Sequence, residues 1–77
     1  MDSKPDKTID CTGLFCPMPI VHAREAIKEI QPGQVLCVHA DDPGFENDLP
    51  AWCRVAGHEF ISMEKAGTIF KGTVRKK

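Results

Sequence analysis

Two prolines, Pro17 and Pro19, stand directly behind Cys16 and constrain the path of this chain more than any other feature. Proline disfavours the helical region for the residue before it, so Cys16 is expected to stay extended, at or near the N-cap of a helix that begins at the prolines. Prolines fit a first helical turn because the N–H groups they lack have no intrahelical partner there, and they stiffen the entry. Gly13, three residues upstream, admits a positive φ, so a strand ending just before it turns sharply without a side chain crowding the sulfur. The remaining free N–H groups and the positive end of the helix dipole favour thiolate over thiol, which makes Cys16 a candidate nucleophile. A buried structural cysteine beside an ordinary proline helix start satisfies the same local pattern.

Size limits what can surround that thiol. A chain of 77 residues holds one domain that buries roughly 60% of its unfolded surface, so no deep enclosed site is expected. Residues 1–7 read as a flexible polar segment and residues 8–77 as the single domain. Ten Lys and Arg against eleven Asp and Glu give a formal charge of -1, without the basic excess of a nucleic-acid or membrane surface. The basic tail Arg75-Lys76-Lys77 is too short to change that. No apolar run could span a bilayer, so the chain reads as soluble and cytoplasmic, with another protein as its partner. The cysteines at 11, 16, 37 and 53 form no Cys-x-x-Cys pair and no zinc-type Cys/His set. They read as reduced thiols, with no metal or cofactor.

Hydrophobic periodicity sets the elements. Thr8-Ile9-Asp10-Cys11 alternates as a short strand. Ile20, Ala23, Ile27 and Ile30 recur at helical spacing from Pro17 to about Ile30, ended by Pro32-Gly33. Val35 to Ala40 is a nearly continuous apolar run, as for a strand with neighbours on both sides, and Cys37 within it reads as core. Asp41-Asp42-Pro43-Gly44 is a turn whose aspartates are placed to cap the next helix. Phe45, Leu49, Trp52, Cys53 and Ala56 mark that helix, starting between Phe45 and Leu49 because Pro50 is awkward deeper inside, and ending at Gly57. Trp52 reads as a core anchor beside Cys53, and His58 as a strand-start hydrogen-bonder or a functional group. Two strands, Phe60–Glu64 and Thr68–Val74, close the chain as a hairpin turning at Ala66-Gly67. Right-handed crossovers then give an α/β two-layer sandwich (α+β), β-α-β-α-β-β, with both helices on one face of a four-stranded mixed sheet. Its other face is left open for dimerisation or a partner.

Other candidates rank lower. His22, six residues after Cys16, points to another side of the helix and makes a poor base for it. Arg24 and Lys28 share an exposed face that serves either solvation or an acidic partner. Cys11 is either a small core residue, the preferred reading, or a resolving thiol for Cys16.

The order aspartate, glycine, Cys-Pro-x-Pro, helix, Asp-Asp-Pro turn, Pro-x-Trp and Gly-His-Glu resembles the TusA-like (SirA/YeeD) sulfur-carrier family from about Thr8 to Val74. The resemblance implies the fold shared with the C-terminal domain of translation initiation factor three. By the same resemblance Cys16 accepts a sulfane sulfur as a persulfide, Gly13, Pro17 and Pro19 shape its loop, and Cys11 is at most auxiliary. The implied partners are a persulfide donor, a rhodanese or cysteine desulfurase, and a sulfur-acceptor protein, the chain itself acting as a monomer or weak dimer. A non-catalytic adapter or RNA-binding module on this fold, and a thiol redox protein using Cys11 and Cys16, are the alternatives.

Overall fold

The computed structural model describes residues 4–15 and 17–77; Met1 to Ser3 and Cys16 lie outside them. Six elements follow in the predicted order: β1 Lys7–Asp10, α1 Met18–Ile27, β2 Val35–Ala40, α2 Phe45–Ala56, β3 Glu59–Ala66 and β4 Ile69–Arg75. The sheet runs β1-β2-β4-β3, with β1 parallel to β2 and the other pairs antiparallel. The α+β sandwich with a mixed sheet is therefore as the sequence implied. Lys7, assigned to the flexible segment, is instead the first residue of β1. Asp6 anchors it: its N–H donates to the Val35 carbonyl and its Oδ2 accepts the Val35 N–H, both at 2.8 Å.

The core lies between the sheet and its two helices. Leu36, Val38 and Ala40 of β2 and Phe70 and Val74 of β4 meet Ala23, Ala26, Ile27, Phe45, Leu49 and Cys53 of the helices, all buried. Strand alternation sends Val35, Cys37 and His39 to the opposite face, so Cys37 is buried, as its sequence reading has it, but outside the helix-side cluster. On that open face Thr8, Cys37 and Thr73 lie side by side, as do Asp10, His39, Lys71 and Glu64, while Arg75 bridges Glu59 at 2.9 Å. The face is polar. Gly72 of β4 leaves space on the helix side: a Cβ there would overlap Leu49 Cδ2 and stand 3.3 Å from Met63 Cε and Phe45 Cε2.

Element ends differ from expectation for local reasons. Helix α1 stops at Ile27 rather than Ile30, because the Lys28, Glu29 and Ile30 amides turn to the carbonyls three residues back. Helix α2 takes the early start at Phe45 and carries Pro50 inside it. Neither Asp41 nor Asp42 caps it with a side chain; the Phe45 N–H bonds to the Asp42 backbone carbonyl at 3.0 Å. Gly57, at φ 83°, ends the helix in the left-handed conformation. Trp52 is half-buried at the core's margin, its ring 5.4 Å from that of His58, so it is a flank rather than a central anchor. His58 Nδ1 accepts the Lys77 N–H at 3.3 Å. The hairpin turns at Gly67-Thr68, one residue later than predicted, and β3 carries a bulge between Phe60 and Ser62.

Candidate functional site

The loop from Cys11 to Phe15 joins β1 to α1, and two carboxylates hold it. Asp10 Oδ1 accepts both the Thr12 N–H at 3.0 Å and the Thr12 hydroxyl at 2.7 Å, an Asx-type turn at the strand end. These bonds to its charged form keep the Asp10 carboxyl below its usual range. Asp41 Oδ1, from the end of β2, accepts the Gly13 N–H at 2.9 Å. Gly13 sits at φ 84°, the left-handed region the sequence assigned to it. The Leu14 N–H closes the turn on the Cys11 carbonyl at 3.2 Å, and Leu14 packs on the core. Thus the aspartate read as a helix cap braces the thiol loop. The sequence analysis missed both aspartates here: the spacing of Asp10 to Thr12 is the signal for an Asx turn, whereas the Asp41 contact spans 28 positions and leaves no local signal.

Pro17 is the N-cap residue of α1 and Pro19 lies in its first turn. Pro17 is exposed, whereas Pro19 is fully buried, so Pro19 serves packing as well as the helix entry. The free amides expected at this helix start are occupied: Met18 N–H donates to the Phe15 carbonyl at 2.8 Å, and the Ile20 and Val21 N–H groups both donate to the Pro17 carbonyl at 3.1 Å. Phe15 and Met18, which flank Cys16 and Pro17, are 72% and 42% exposed. Cys16 itself lies outside the described residues.

The other three thiols are withdrawn from chemistry. Cys11 is 2% exposed, and burial, with the Asp10 carboxylate second, raises its pKa. Burial likewise raises that of Cys37, outweighing a hydrogen bond with Thr73. Cys53 is pushed by burial to about 11. An open cleft of about 270 Å³ between β1 and α1 is lined by Ile9, Asp10, Cys11, Leu14, His22 and Ala26, among others. His22 thus stands with Cys11 rather than at the head of the helix. Among the described residues no cluster of three or more metal-binding side chains occurs, and no helix is long and apolar enough to cross a membrane.

The chain is similar to known proteins in sequence and in fold. YrkI of Bacillus subtilis (strain 168), a protein named as a candidate sulfur carrier, is 45% identical over 73 residues, covering 95% of this chain and 97% of YrkI. The crystal structure of a SirA-like protein from Desulfitobacterium hafniense superposes with a TM-score of 0.78 at 27% identity, covering 90% of this chain and 95% of that one. The family described as sulfurtransferase TusA matches residues 7–76, nearly the whole length, and the chain belongs to that family.

Proposed function

We propose that this protein is a sulfur carrier whose Cys16 accepts a sulfane sulfur as a persulfide and passes it to an acceptor protein. The observation that carries the reading is the partition of the four cysteines: three are buried with raised pKa values, and the fourth follows a carboxylate-braced loop at the head of α1. Membership of the TusA family and likeness to YrkI support it. In the first step the Cys16 thiolate attacks the outer sulfur of a donor persulfide, R–S–SH. A new S–S bond forms on Cys16, the donor S–S bond breaks, and R–S⁻ leaves to be protonated. In the second step an acceptor thiolate attacks the outer sulfur of Cys16–SSH and Cys16 departs as thiolate. No electrons are gained or lost overall and no cofactor takes part. A rhodanese or cysteine desulfurase is the natural donor class.

The depth of Cys11 weighs against a redox couple with Cys16, since a resolving thiol must be reached as thiolate. Three buried thiols in free form suit a reducing compartment such as the cytoplasm, and the polar open face of the sheet suits a monomer. Intact mass after incubation with a sulfur donor tests the reading. A gain of one sulfur that disappears in Cys16→Ser is expected; loss of two hydrogens, the mark of a disulfide, would refute it.

A further inference from the structure

From Cys11 to Val21 there is no Asp, Glu, Lys or Arg, although these make up 27% of the chain. Part of that stretch is core, since Cys11 and Pro19 are buried. Leu14 and Ile20 are partly buried against it, and three apolar residues of the stretch are exposed: Phe15 at 72%, Met18 at 42%, and Pro17 between them. Two of the four large hydrophobic residues exposed among the described positions therefore sit on either side of Cys16–Pro17; the others, Val55 and Ile61, belong to α2 and β3. The bond from the Met18 N–H to the Phe15 carbonyl holds the two backbones together.

Building on the sulfur-carrier reading, we infer that Phe15, Pro17 and Met18 form an apolar docking rim for the donor protein, fitting an uncharged, hydrophobic mouth around the donor's persulfide sulfur. A ring left in water has nothing to recommend it in the free protein, and burying it at contact supplies a large non-directional attraction. The same contact excludes water from the sulfur in transit. Complementarity here is the absence of charge: a partner surface carrying charges would have to desolvate them against phenylalanine and methionine without compensation. The competing route is electrostatic, through Arg24 on α1 and Lys28 at its C-cap, both exposed, and its mark would be a loss of loading with salt.

The test compares Cys16 loading by inorganic polysulfide with loading by two protein donors, persulfidated rhodanese and cysteine desulfurase supplied with cysteine. Wild type, Phe15→Ala, Met18→Ala, the double variant and Val55→Ala are followed by intact mass. Polysulfide should load all five within about twofold, because a small donor needs no docking. Loading by a protein donor should fall roughly tenfold in Phe15→Ala, more in the double variant, chiefly through KM, and not at all in Val55→Ala. It should change little between about 0.05 and 0.5 M salt. Wild-type rates in the double variant, or a steep loss with salt, would overturn the rim. So would loading of wild type by polysulfide but by neither protein donor. No sulfur on wild-type Cys16 from any of the three would instead defeat the carrier reading on which the rim rests.

Discussion

Replacing Asp41 with alanine should release the thiol loop without unfolding the domain. In the structure its carboxylate reaches the Gly13 N–H at 2.9 Å, across 28 positions, and is not used by α2. A hydrogen bond to a charged group is worth about 1.5–3 kcal/mol when shielded and a neutral one about 1. Asp41 is exposed, so the lower end applies, about 1 kcal/mol, or roughly a fivefold shift between docked and released loop. Amide hydrogen exchange reads this directly. Gly13 protection should drop about fivefold in Asp41→Ala, while core amides such as Val38 keep theirs. Asp41→Asn, which retains the acceptor oxygen, should preserve most of the protection. Sulfur loading by polysulfide should fall with Gly13 protection in Asp41→Ala and be rescued in Asp41→Asn. Unchanged Gly13 exchange in Asp41→Ala, or equal damage from Asn and Ala, would refute the bracing role.

Four further outcomes follow from other positions. Gly72→Ala places a methyl against Leu49, Met63 and Phe45, and overpacking of this kind costs about 1–3 kcal/mol, a drop of at least about 4 °C in Tm by thermal melting; an unchanged Tm would show that the helix layer yields freely. Pro19→Ala removes a fully buried ring, so it should lower Tm as well as slow transfer, whereas Pro17→Ala at the exposed cap should affect transfer more than Tm. The Asp10 pKa in the folded protein lies below the usual 3.8, so its contribution to stability is complete above that value and is lost as pH falls through the lowered pKa; Asp10→Asn should show a flatter stability profile below about pH 4 in acid titration, and matching profiles would count against the Thr12 bonds. Alkylation rates against pH should place Cys16 first and Cys53, with its pKa near 11, last; prior reaction of Cys11 or Cys53 would overturn the partition of thiols.

Periodicity made most of the fold legible. Ile20, Ala23 and Ile27 show the face of α1, Phe45, Leu49 and Cys53 that of α2, and the unbroken run from Val35 to Ala40 marks the central strand. What stayed hidden has physical causes. A strand apolar on both faces gives no alternation to follow, so the side on which Cys37 lies could not be read. Asp41 and Asp42 beside a helix start look like caps, and only the folded arrangement of two loops shows that Asp41 turns to Gly13. The prolines fixed the helix start, yet which of them is buried depends on the packing of α1, not on the local pattern. At the site, Gly13 and its positive φ were legible because no other residue takes that backbone turn cheaply. The burial of Cys11, Cys37 and Cys53 was legible too, from their places in apolar runs and stripes.

The bulge in β3 between Phe60 and Ser62 has a consequence for how crowded solutions of this protein behave. The sheet has two free edges, β1 and β3, and an unpaired strand edge is a template for another chain's strand. β1 offers only four residues, one of them Lys7. β3 offers eight, but the bulge interrupts its hydrogen-bonding rhythm, and Glu59, Glu64 and Lys65 add charge along it. Both edges are thereby poor templates for strand-to-strand aggregation. The chain can thus keep a ring as large as that of Phe15 exposed without offering neighbouring copies a regular edge on which to stack.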